Sequence, residues 1–271
     1  MSLHWYPGHM AKARRLLRAH LPLVQVVFEL LDARIPYSSR NPDIAELLAG
    51  KPRVVVLNKE DLADPRATRA WLAYLEQEGY PTLAVNSLTG KGLDKLEEAL
   101  RRVARPGRTG ILRGMVVGIP NVGKSSFINR LARGRAAAVG AKPGVTKGKQ
   151  WIKVTPNFEL LDTPGVLWPR FEDPEVGLKL AVTGALKEEV IDVEAAALWL
   201  AAWLQEHYPD ALAKRYPLAA GKAPEEFLDE LGRHRGFFLE GGCIDRVKAA
   251  VALLKDFREG RLGRFTLDPI A

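Results

Sequence analysis

The sequence predicts an α/β domain with a parallel-dominated sheet flanked by helices, followed by an all-α C-terminal domain. Short segments rich in Val, Leu and Ile alternate with helical segments through residues 1–168, which is typical of a parallel sheet covered on both faces. From residue 169 onward the pattern contains helical segments only. We therefore expect two domains, 1–168 and 169–271, the first of which begins with a basic segment at 1–20.

The predicted elements of the first domain follow one another in strand–helix order. We expect strands at 23–31, 53–57, 82–85, 115–117, 150–154 and 158–161. We expect helices at 42–48, 65–78, 93–103 and 126–131. Asn41-Pro42 and Asp64-Pro65 begin the first two helices, because Asn and Asp are good N-caps and Pro suits the first turn. In the second domain, apolar residues at helical spacing form one stripe, which consists of Ile244, Val247, Val251, Leu254 and Phe257.

The composition excludes several classes of protein. The chain has 271 residues, of which 47% are hydrophobic, so it is long enough to bury sizeable cores. Its single cysteine, Cys243, excludes an internal disulfide framework and a cysteine-based metal site, and fits a cytoplasmic location. Two apolar runs, 21–31 and 195–204, are expected to be buried rather than bound to a membrane. Gln25 and Glu29 interrupt the first run, and the second is too short to span a bilayer.

The positive charge is concentrated in one part of the chain. The net charge is +8, yet residues 99–158 contain 13 Lys and Arg and no acidic residue, whereas residues 159–271 contain 14 basic and 20 acidic ones. This excess suggests a polyanionic partner, with RNA as the leading candidate and a solvated basic face as the alternative. Residues 1–20 also place aromatic residues beside a basic helix, which can bind RNA or brace the domain.

A phosphate-binding loop is predicted at 118–125, which reads G-x-x-x-x-G-K-S between an apolar strand and a helix. The glycines let backbone N–H groups surround a polyphosphate, and the helix N-terminus adds the positive end of its dipole. We expect Lys124 to reach the β- and γ-phosphates and Ser125 to bind Mg²⁺. The predicted phosphate-binding residues are Asn121, Val122, Gly123, Lys124, Ser125, Ser126 and Gly165.

A guanine-reading motif follows the second strand, where Asn58-Lys59-Glu60-Asp61 has the form N-K-x-D. Ligands bind at this end of the strands in open parallel sheets. The Asp61 carboxylate can accept from the N1–H and N2–H₂ groups of guanine, a donor pair that adenine lacks. Asn58 can meet the opposite edge of the base or tie neighbouring loops together, and the Lys59 stem can cover the base. The predicted base-binding residues are Asn58, Lys59, Glu60, Asp61, Asn86 and Ser87, so GTP and GDP are the expected ligands.

A third motif, Asp162-Thr163-Pro164-Gly165, has the form D-x-x-G and follows the strand at 158–161. It is expected to bring Asp162 near Mg²⁺ and the Gly165 N–H near the γ-phosphate. Thr146 lies in a Gly- and Lys-rich segment, 133–148, that we expect to be mobile. It is the preferred second hydroxyl ligand, with Thr155 and Thr163 as alternatives. The predicted Mg²⁺ ligands are Ser125, Thr146 and Asp162.

The order of these motifs resembles that of the circularly permuted GTPases, and in particular the bacterial GTPases of ribosome assembly. The base-reading motifs precede the phosphate loop, whereas in ordinary GTPases they follow it. A parallel sheet with adjacent termini tolerates such a permutation. The resemblance spans about residues 4–170 and is carried by the segments 5–13, 32–36, 58–61, 120–126, 143–146 and 162–165. It implies a circularly permuted P-loop GTPase fold.

The resemblance also implies GTP hydrolysis, binding to the maturing large ribosomal subunit and its rRNA, and a helical domain that contacts RNA. DNA and membranes are not expected partners. Residues 170–271 contain 14 basic and 18 acidic residues, so RNA contacts there must come from local patches. The candidate patches are Arg233-His234-Arg235 and a group formed by Lys255, Arg258, Arg261 and Arg264.

The catalytic residue is harder to predict, because Val166 stands where many regulatory GTPases have a water-orienting Gln. His9 follows a Pro-Gly turn and is our candidate for orienting or activating water, with a structural helix-start histidine as the alternative. Asn121 is similar to a residue of GTPases that use K⁺ as additional positive charge, so K⁺ is a candidate cofactor. The alternative functions are a GTP-dependent RNA-binding placeholder with negligible hydrolysis, and a GTPase that acts on another structured RNA.

Overall fold

A computed structural model of the chain describes residues 7–48, 50–105, 110–135, 151–167, 173–216 and 222–270, without the side chains of residues 7–11, 45, 134 and 135. The described residues form two compact units. Residues up to 167, together with 266–270, form the first unit, which we call the nucleotide unit. Residues 173–265 form the second, which we call the helical unit. The predicted segment 133–148, Thr146 and the predicted boundary at 168 lie largely or wholly outside the described residues.

The nucleotide unit consists of a six-stranded sheet with helices between most of the strands. The strands are β1 (Val26–Asp32), β2 (Arg53–Asn58), β3 (Thr82–Val85), β4 (Leu112–Gly118), β5 (Trp151–Thr155) and β6 (Phe158–Asp162). The helices are α1 (Pro7–His20), α2 (Pro42–Leu47), α3 (Pro65–Gln77), α4 (Leu96–Val103) and α5 (Lys124–Arg135). The predicted α/β class is confirmed.

The strand order is β3-β2-β1-β4-β6-β5, in which β5 is antiparallel to β6 and all other neighbours are parallel. Chain order therefore reverses at β1, between β2 and β4. In open parallel sheets, ligands bind beyond the carboxyl ends of the strands at such a reversal. The strands end there with Asp32, Asn58, Gly118 and Asp162, so all three predicted motifs meet at one edge.

The central strands are buried along their whole length, as near-continuous apolar runs in a covered parallel sheet should be. Within them, the Glu29 carboxylate pairs with the Arg53 guanidinium at 2.9 Å. The first strand begins at Val26, three residues later than predicted, because Leu21–Leu23 forms a 3-10 turn that includes Pro22. The predicted caps are confirmed: the Asn41 and Asp64 side chains accept backbone N–H bonds at the start of α2 and α3.

The helical unit contains α6 (Pro174–Val182), α7 (Val193–His207), α8 (Pro209–Arg215), α9 (Pro224–Arg235) and α10 (Arg246–Arg258). The predicted apolar stripe is partly wrong. Leu254 and Phe257 are buried as predicted, but Val247 is 56% exposed, because the rest of the buried apolar face of α10 consists of Ala249, Ala250 and Leu253. No helix in the described parts of the chain is long and apolar enough to cross a membrane.

The last described residues, 266–270, belong to the nucleotide unit, whereas the sequence predicts that they belong to a helical domain at 169–271. Leu267 and Asp268 are 0% and 2% exposed. The backbone N–H of Leu267 donates to the Arg34 carbonyl, and the indole Nε1–H of Trp71 donates to the Asp268 carbonyl. Burial of these two residues against the loop after β1 and against α3 explains the placement.

Candidate nucleotide-binding site

The loop between β4 and α5 has a backbone that requires glycine at both ends. Gly118 has φ 152°, and a Cβ atom there would lie 2.5 Å from the Leu30 carbonyl oxygen. Gly123 has φ 99°, and a Cβ there would lie 2.3 Å from Nδ2 of Asn58. Between them, Asn121 adopts a left-handed φ of 56°. The loop therefore forms the tight turn that lets backbone N–H groups and the start of α5 approach a phosphate.

Lys124, the first residue of α5, is 7% exposed. Its ammonium group donates to the Gly118 and Ile119 carbonyls, at 3.2 and 2.8 Å. Burial lowers the pKa of Lys124 to about 8, and the nearby Asp162 carboxylate only partly opposes this shift. Because a neutral carbonyl stabilises the ammonium less than an anion does, a bound phosphate would raise this pKa again.

Two of the three predicted Mg²⁺ ligands, Ser125 and Asp162, lie side by side. The Ser125 hydroxyl donates to Oδ2 of Asp162 at 3.1 Å. The other oxygen of that carboxylate, Oδ1, is buried and has no hydrogen-bond partner in the described part of the chain. A hydroxyl next to a carboxylate with an oxygen to spare is a donor set that suits a hard cation such as Mg²⁺.

Both alternatives to Thr146 already have bonds of their own. The Thr163 hydroxyl is buried and donates to the Val116 carbonyl at 2.6 Å. The Thr155 hydroxyl accepts from the Asn157 backbone N–H at 3.3 Å. Thr146 lies outside the described residues, so its role as an Mg²⁺ ligand stays a prediction.

The D-x-x-G segment crosses close to the phosphate loop. A Cβ on Gly165 would lie 2.7 Å from the Cα of Pro120 and 3.0 Å from the Lys124 ammonium, so only glycine allows this approach. The next residue, Val166, is 1% exposed and packs with Ala13 and Leu17 of α1. Its backbone N–H donates to the Gly118 carbonyl at 3.2 Å. The side chain that replaces the usual Gln is therefore part of the core and cannot orient water.

Asn58 adopts the second of its two predicted roles, that of tying loops together. Its Nδ2 donates to the Val122 carbonyl at 2.7 Å, and its Oδ1 accepts from the hydroxyl and N–H of Ser87, at 2.7 and 3.3 Å. Asn86 accepts from the N–H groups of Leu88 and Thr89, so its side chain shapes its own loop. Asn58 thus joins the base side to the phosphate loop, and Asn86 fixes the turn that follows β3.

Lys59 has a left-handed backbone, with φ 61°, which is uncommon for a residue with a side chain. Its ammonium pairs with Oδ2 of Asp32 at 3.0 Å. Burial opposes ionisation of Asp32, but the charges of Arg34 and Lys59 outweigh it and hold the pKa of that carboxyl well below its usual range. Burial also lowers the pKa of Lys59, while Asp32 acts to raise it.

Asp32 is held from its other side by Arg34, whose Nε and Nη2 donate to the two carboxylate oxygens at 2.9 and 2.7 Å. Sequence reasoning used this Asp-Ala-Arg run only for the family resemblance and missed its contact with Lys59. The sequence did contain a signal for this contact: an apolar strand that ends in Asp32 precedes the apolar strand that ends in the N-K-x-D motif.

The remaining two residues of the N-K-x-D motif differ in exposure. Glu60 is buried, its N–H donates to the Val85 carbonyl at 3.2 Å, and its carboxylate pairs with Lys91 at 3.0 Å. The Asp61 side chain is exposed to solvent beside this fixed loop. Of the motif's two carboxylates, Asp61 is therefore the one presented to a ligand.

A cavity of about 1070 Å³ opens over the phosphate loop. Seven predicted residues line it: Asn121, Gly123, Lys124, Ser125, Ser126, Asp162 and Gly165. It is also lined by Lys12, Leu16 and His20 of α1, at a spacing of four residues along one helix face. Sequence reasoning missed these three, although the spacing was visible. His9 lies in the same helix, but its side chain is outside the described residues.

Comparison with protein families agrees with this geometry. A family model described as a 50S ribosome-binding GTPase matches residues 113–208. The match begins in β4, just before the phosphate loop. A linear model that starts at this point cannot include 58–61 and 86–87, which precede it in this chain.

Known proteins are similar over nearly the whole chain. "Ribosome biogenesis GTPase A" of Bacillus pumilus is 46% identical over 280 residues, which cover 99% of this chain and 99% of the relative. "Mitochondrial ribosome-associated GTPase 1" of Mus musculus is 38% identical over 97% of this chain and 89% of its own. A crystal structure of GNP-bound YlqF from T. maritima superimposes with a TM-score of 0.70 at 26% identity, covering 95% of this chain and 97% of the other.

Proposed function

The chain belongs to the ribosome biogenesis GTPase A family, and on this premise we propose that the site described above binds GTP and GDP and that GTP hydrolysis there serves assembly of the large ribosomal subunit. One observation carries the proposal: a single hydrogen bond, from Asn58 to the Val122 carbonyl, joins a guanine-reading motif to a phosphate loop. Two motifs that lie about 60 residues apart in sequence are thereby brought next to each other. The cavity covers the phosphate loop and the D-x-x-G segment, and residues 58–61 and 86–87 do not line it.

At the phosphate end, we assign the polyphosphate to the N–H groups of residues 121–126, to Lys124 and to the Gly165 N–H. The support is the tight loop, the N-terminus of α5 and the close approach of Gly165. GTPases of this family generally use Mg²⁺, and Ser125 and Asp162 would hold the ion here, with Thr146 as the further predicted ligand. A bound Mg²⁺ supplies positive charge that offsets the charge of the β- and γ-phosphates.

At the base end, we assign guanine to Asp61, with the Lys59 stem over the ring. Asp61 is the exposed carboxylate of the motif, and a carboxylate accepts the N1–H and N2–H₂ pair that distinguishes guanine from adenine. Glu60, Asn86 and Ser87 contribute by shaping the pocket.

Hydrolysis needs a group that the D-x-x-G segment does not supply, because Val166 is buried. We therefore propose that His9 orients or activates the water and that the ribosomal particle brings it into place, so that the isolated enzyme is slow. Its helix, α1, supplies Lys12 and His20 to the cavity wall, which supports a role for this helix near the γ-phosphate. K⁺ beside Asn121 is a further proposal, which hydrolysis rates in K⁺ and Na⁺ buffers test directly.

The distribution of positive charge supports the proposed contact with RNA. Residues 99–158 provide an uninterrupted excess of positive charge. In the helical unit, the predicted patch at 255–264 is weakened, since Arg258 pairs with Glu188 and Arg261 with Asp256. Arg233 and His234 are exposed and remain the better candidates there. We propose the cytoplasm as the compartment in which this activity takes place.

The buried Val166 also favours a second candidate function, a GTP-dependent placeholder on RNA with negligible hydrolysis. Steady-state GTP hydrolysis in K⁺ buffer, measured with and without purified large ribosomal subunits, separates the two. We expect a large and saturable stimulation by the subunits. Tight GTP binding without stimulation would favour the placeholder instead.

A further inference from the structure

We propose that residues 266–268, which we call the C-terminal clasp, act as positioning residues for the guanine-reading loop 58–61 and thereby set the affinity for guanine nucleotides. The inference rests on the proposed function of that loop. It assigns a role to the end of the chain, which follows the helical unit in sequence yet is buried in the nucleotide unit.

The clasp is held by polar bonds that span more than 190 residues of sequence. The Asp268 carboxylate accepts from the N–H and hydroxyl of Ser38, at 2.7 and 2.8 Å, and its carbonyl accepts from the Trp71 indole at 3.0 Å. The Leu267 N–H donates to the Arg34 carbonyl at 2.7 Å. Such a buried and satisfied network is costly to disrupt, so the segment is fixed rather than merely laid on the surface.

The clasp contacts the capping residue that follows the guanine-reading loop and the turn after β1. The Thr266 hydroxyl accepts from the Asp64 N–H at 3.2 Å, and Asp64 caps α3, the helix that follows the loop. The same hydroxyl donates to the Ala33 carbonyl at 3.3 Å. One side chain therefore joins the exit of the loop to the Asp-Ala-Arg turn after β1.

That turn holds Lys59. The Arg34 guanidinium fixes the Asp32 carboxylate, which pairs with the Lys59 ammonium at 3.0 Å. The left-handed backbone at Lys59 is a strained conformation that surrounding contacts must maintain. Loosening the clasp would loosen the turn and the start of α3 together, and would let the loop relax away from the base.

If the clasp acts through the guanine-reading loop, its loss should change nucleotide affinity in a specific way. The clasp acts on the base side only, so its loss should weaken GDP and GTP equally and leave turnover at saturating GTP unchanged. It is also the point where the chain leaves the helical unit, since residue 265 belongs to that unit and residue 266 to the nucleotide unit.

The test is the dissociation rate of fluorescent N-methylanthraniloyl-GDP from the full-length protein, with the same measurement for the GTP analogue. Thr266→Val removes both hydrogen bonds of the hydroxyl with little change of volume. Thr266→Ser keeps the hydroxyl and therefore both bonds. Lys51→Met is the matched control, because it removes one side chain–backbone bond, to the Val24 carbonyl, at the opposite edge of the same sheet. We expect Thr266→Val to accelerate release about three- to tenfold for both nucleotides, and Thr266→Ser and Lys51→Met to stay within about twofold of wild type.

Asp268→Asn provides a second, independent variant, which should also accelerate release. Wild-type rates in a folded Thr266→Val protein would overturn the inference, as would equal acceleration in Lys51→Met, which would indicate general loosening. If Asp268→Asn does not fold, Thr266→Val carries the test alone. Failure of the wild type to bind guanine nucleotides would instead contradict the proposed function, so the two failures are distinguishable.

Discussion

The base side and the phosphate side of the site are built in different ways. On the base side, buried side chains hold one another: Asp32 lies between Arg34 and Lys59, and Asn58 lies between Val122 and Ser87. On the phosphate side, the bonds of Lys124 within the described ranges go to two carbonyls of its own loop. The Asp162 carboxylate there has one oxygen without a hydrogen-bond partner in the described part of the chain.

The difference indicates which part of the site depends on the ligand. The base side is completed by folding, so damage there should cost stability as well as affinity. On the phosphate side, the charged groups are available to bind ions of opposite charge. Substitutions there should therefore lower nucleotide affinity without unfolding the protein.

Asp32→Ala and Asp162→Ala give the sharpest contrast between two carboxylates at the same sheet edge. Asp32→Ala leaves the buried Arg34 and the Lys59 ammonium without their partner, so we expect a loss of about 3–5 kcal/mol in the free energy of unfolding. Asp162→Ala removes a less buried carboxylate and should cost no more than about 1 kcal/mol. Urea unfolding of both variants measures the difference, and equal losses would show that the two sides do not differ.

Lys124→Ala should abolish most phosphate recognition without unfolding the protein. Removing the ammonium that we propose to bind the phosphates should weaken GDP and GTP binding by about 100-fold or more. Equilibrium titration with a fluorescent nucleotide measures this, with Lys153→Ala on the exposed surface of β5 as the control. Affinity within tenfold of wild type would place the phosphates elsewhere.

Asp61→Asn should change which base is bound. An amide that presents a donor to the N2 edge of guanine loses one acceptor, so we expect GTP binding to weaken by about 10- to 100-fold. Xanthine, which has a carbonyl at that edge, should be accepted better by the variant than by wild type. Competition by GTP and XTP measures both changes, and an unchanged preference for GTP would remove Asp61 from the base pocket.

Nucleotide binding should be coupled to proton uptake by Lys124. The pKa of Lys124 is about 8 in the free protein, and a bound phosphate raises it, so binding near pH 8 takes up about half a proton. Affinity should therefore fall as the pH rises above 8. Calorimetric titrations with GDP in two buffers of different ionisation enthalpy measure the uptake. Equal heats in both buffers would contradict the assignment.

Local patterns made much of the site predictable. The glycines, Lys124 and Ser125 form one short motif, and the N-K-x-D and D-x-x-G runs each follow a recognisable strand. The strand–helix alternation and the capping residues Asn41 and Asp64 predicted the fold in the same way, because both signals lie within short stretches of the sequence.

Contacts between distant segments were not predictable. Ser38 and Asp268 lie 230 residues apart, and nothing in either local sequence indicates that they meet. The exposure of Val247 and the pairing of Arg258 with Glu188 likewise depend on how helices pack, because the same stripe or basic run is compatible with several rotations of a helix. The spacing of Lys12, Leu16 and His20 is visible in the sequence, but only the packing of α1 shows that this helix face lines the cavity.

Hydrogen exchange with and without Mg²⁺ and GDP tests most directly whether the two sides differ. Residues 58–61 and 86–87 should be protected before nucleotide is added and should change little afterwards. Residues 119–126 and 163–165 should exchange readily in the free protein and become strongly protected in the complex. Equal gains of protection on both sides would contradict the account, because the base side would then also be built by the ligand.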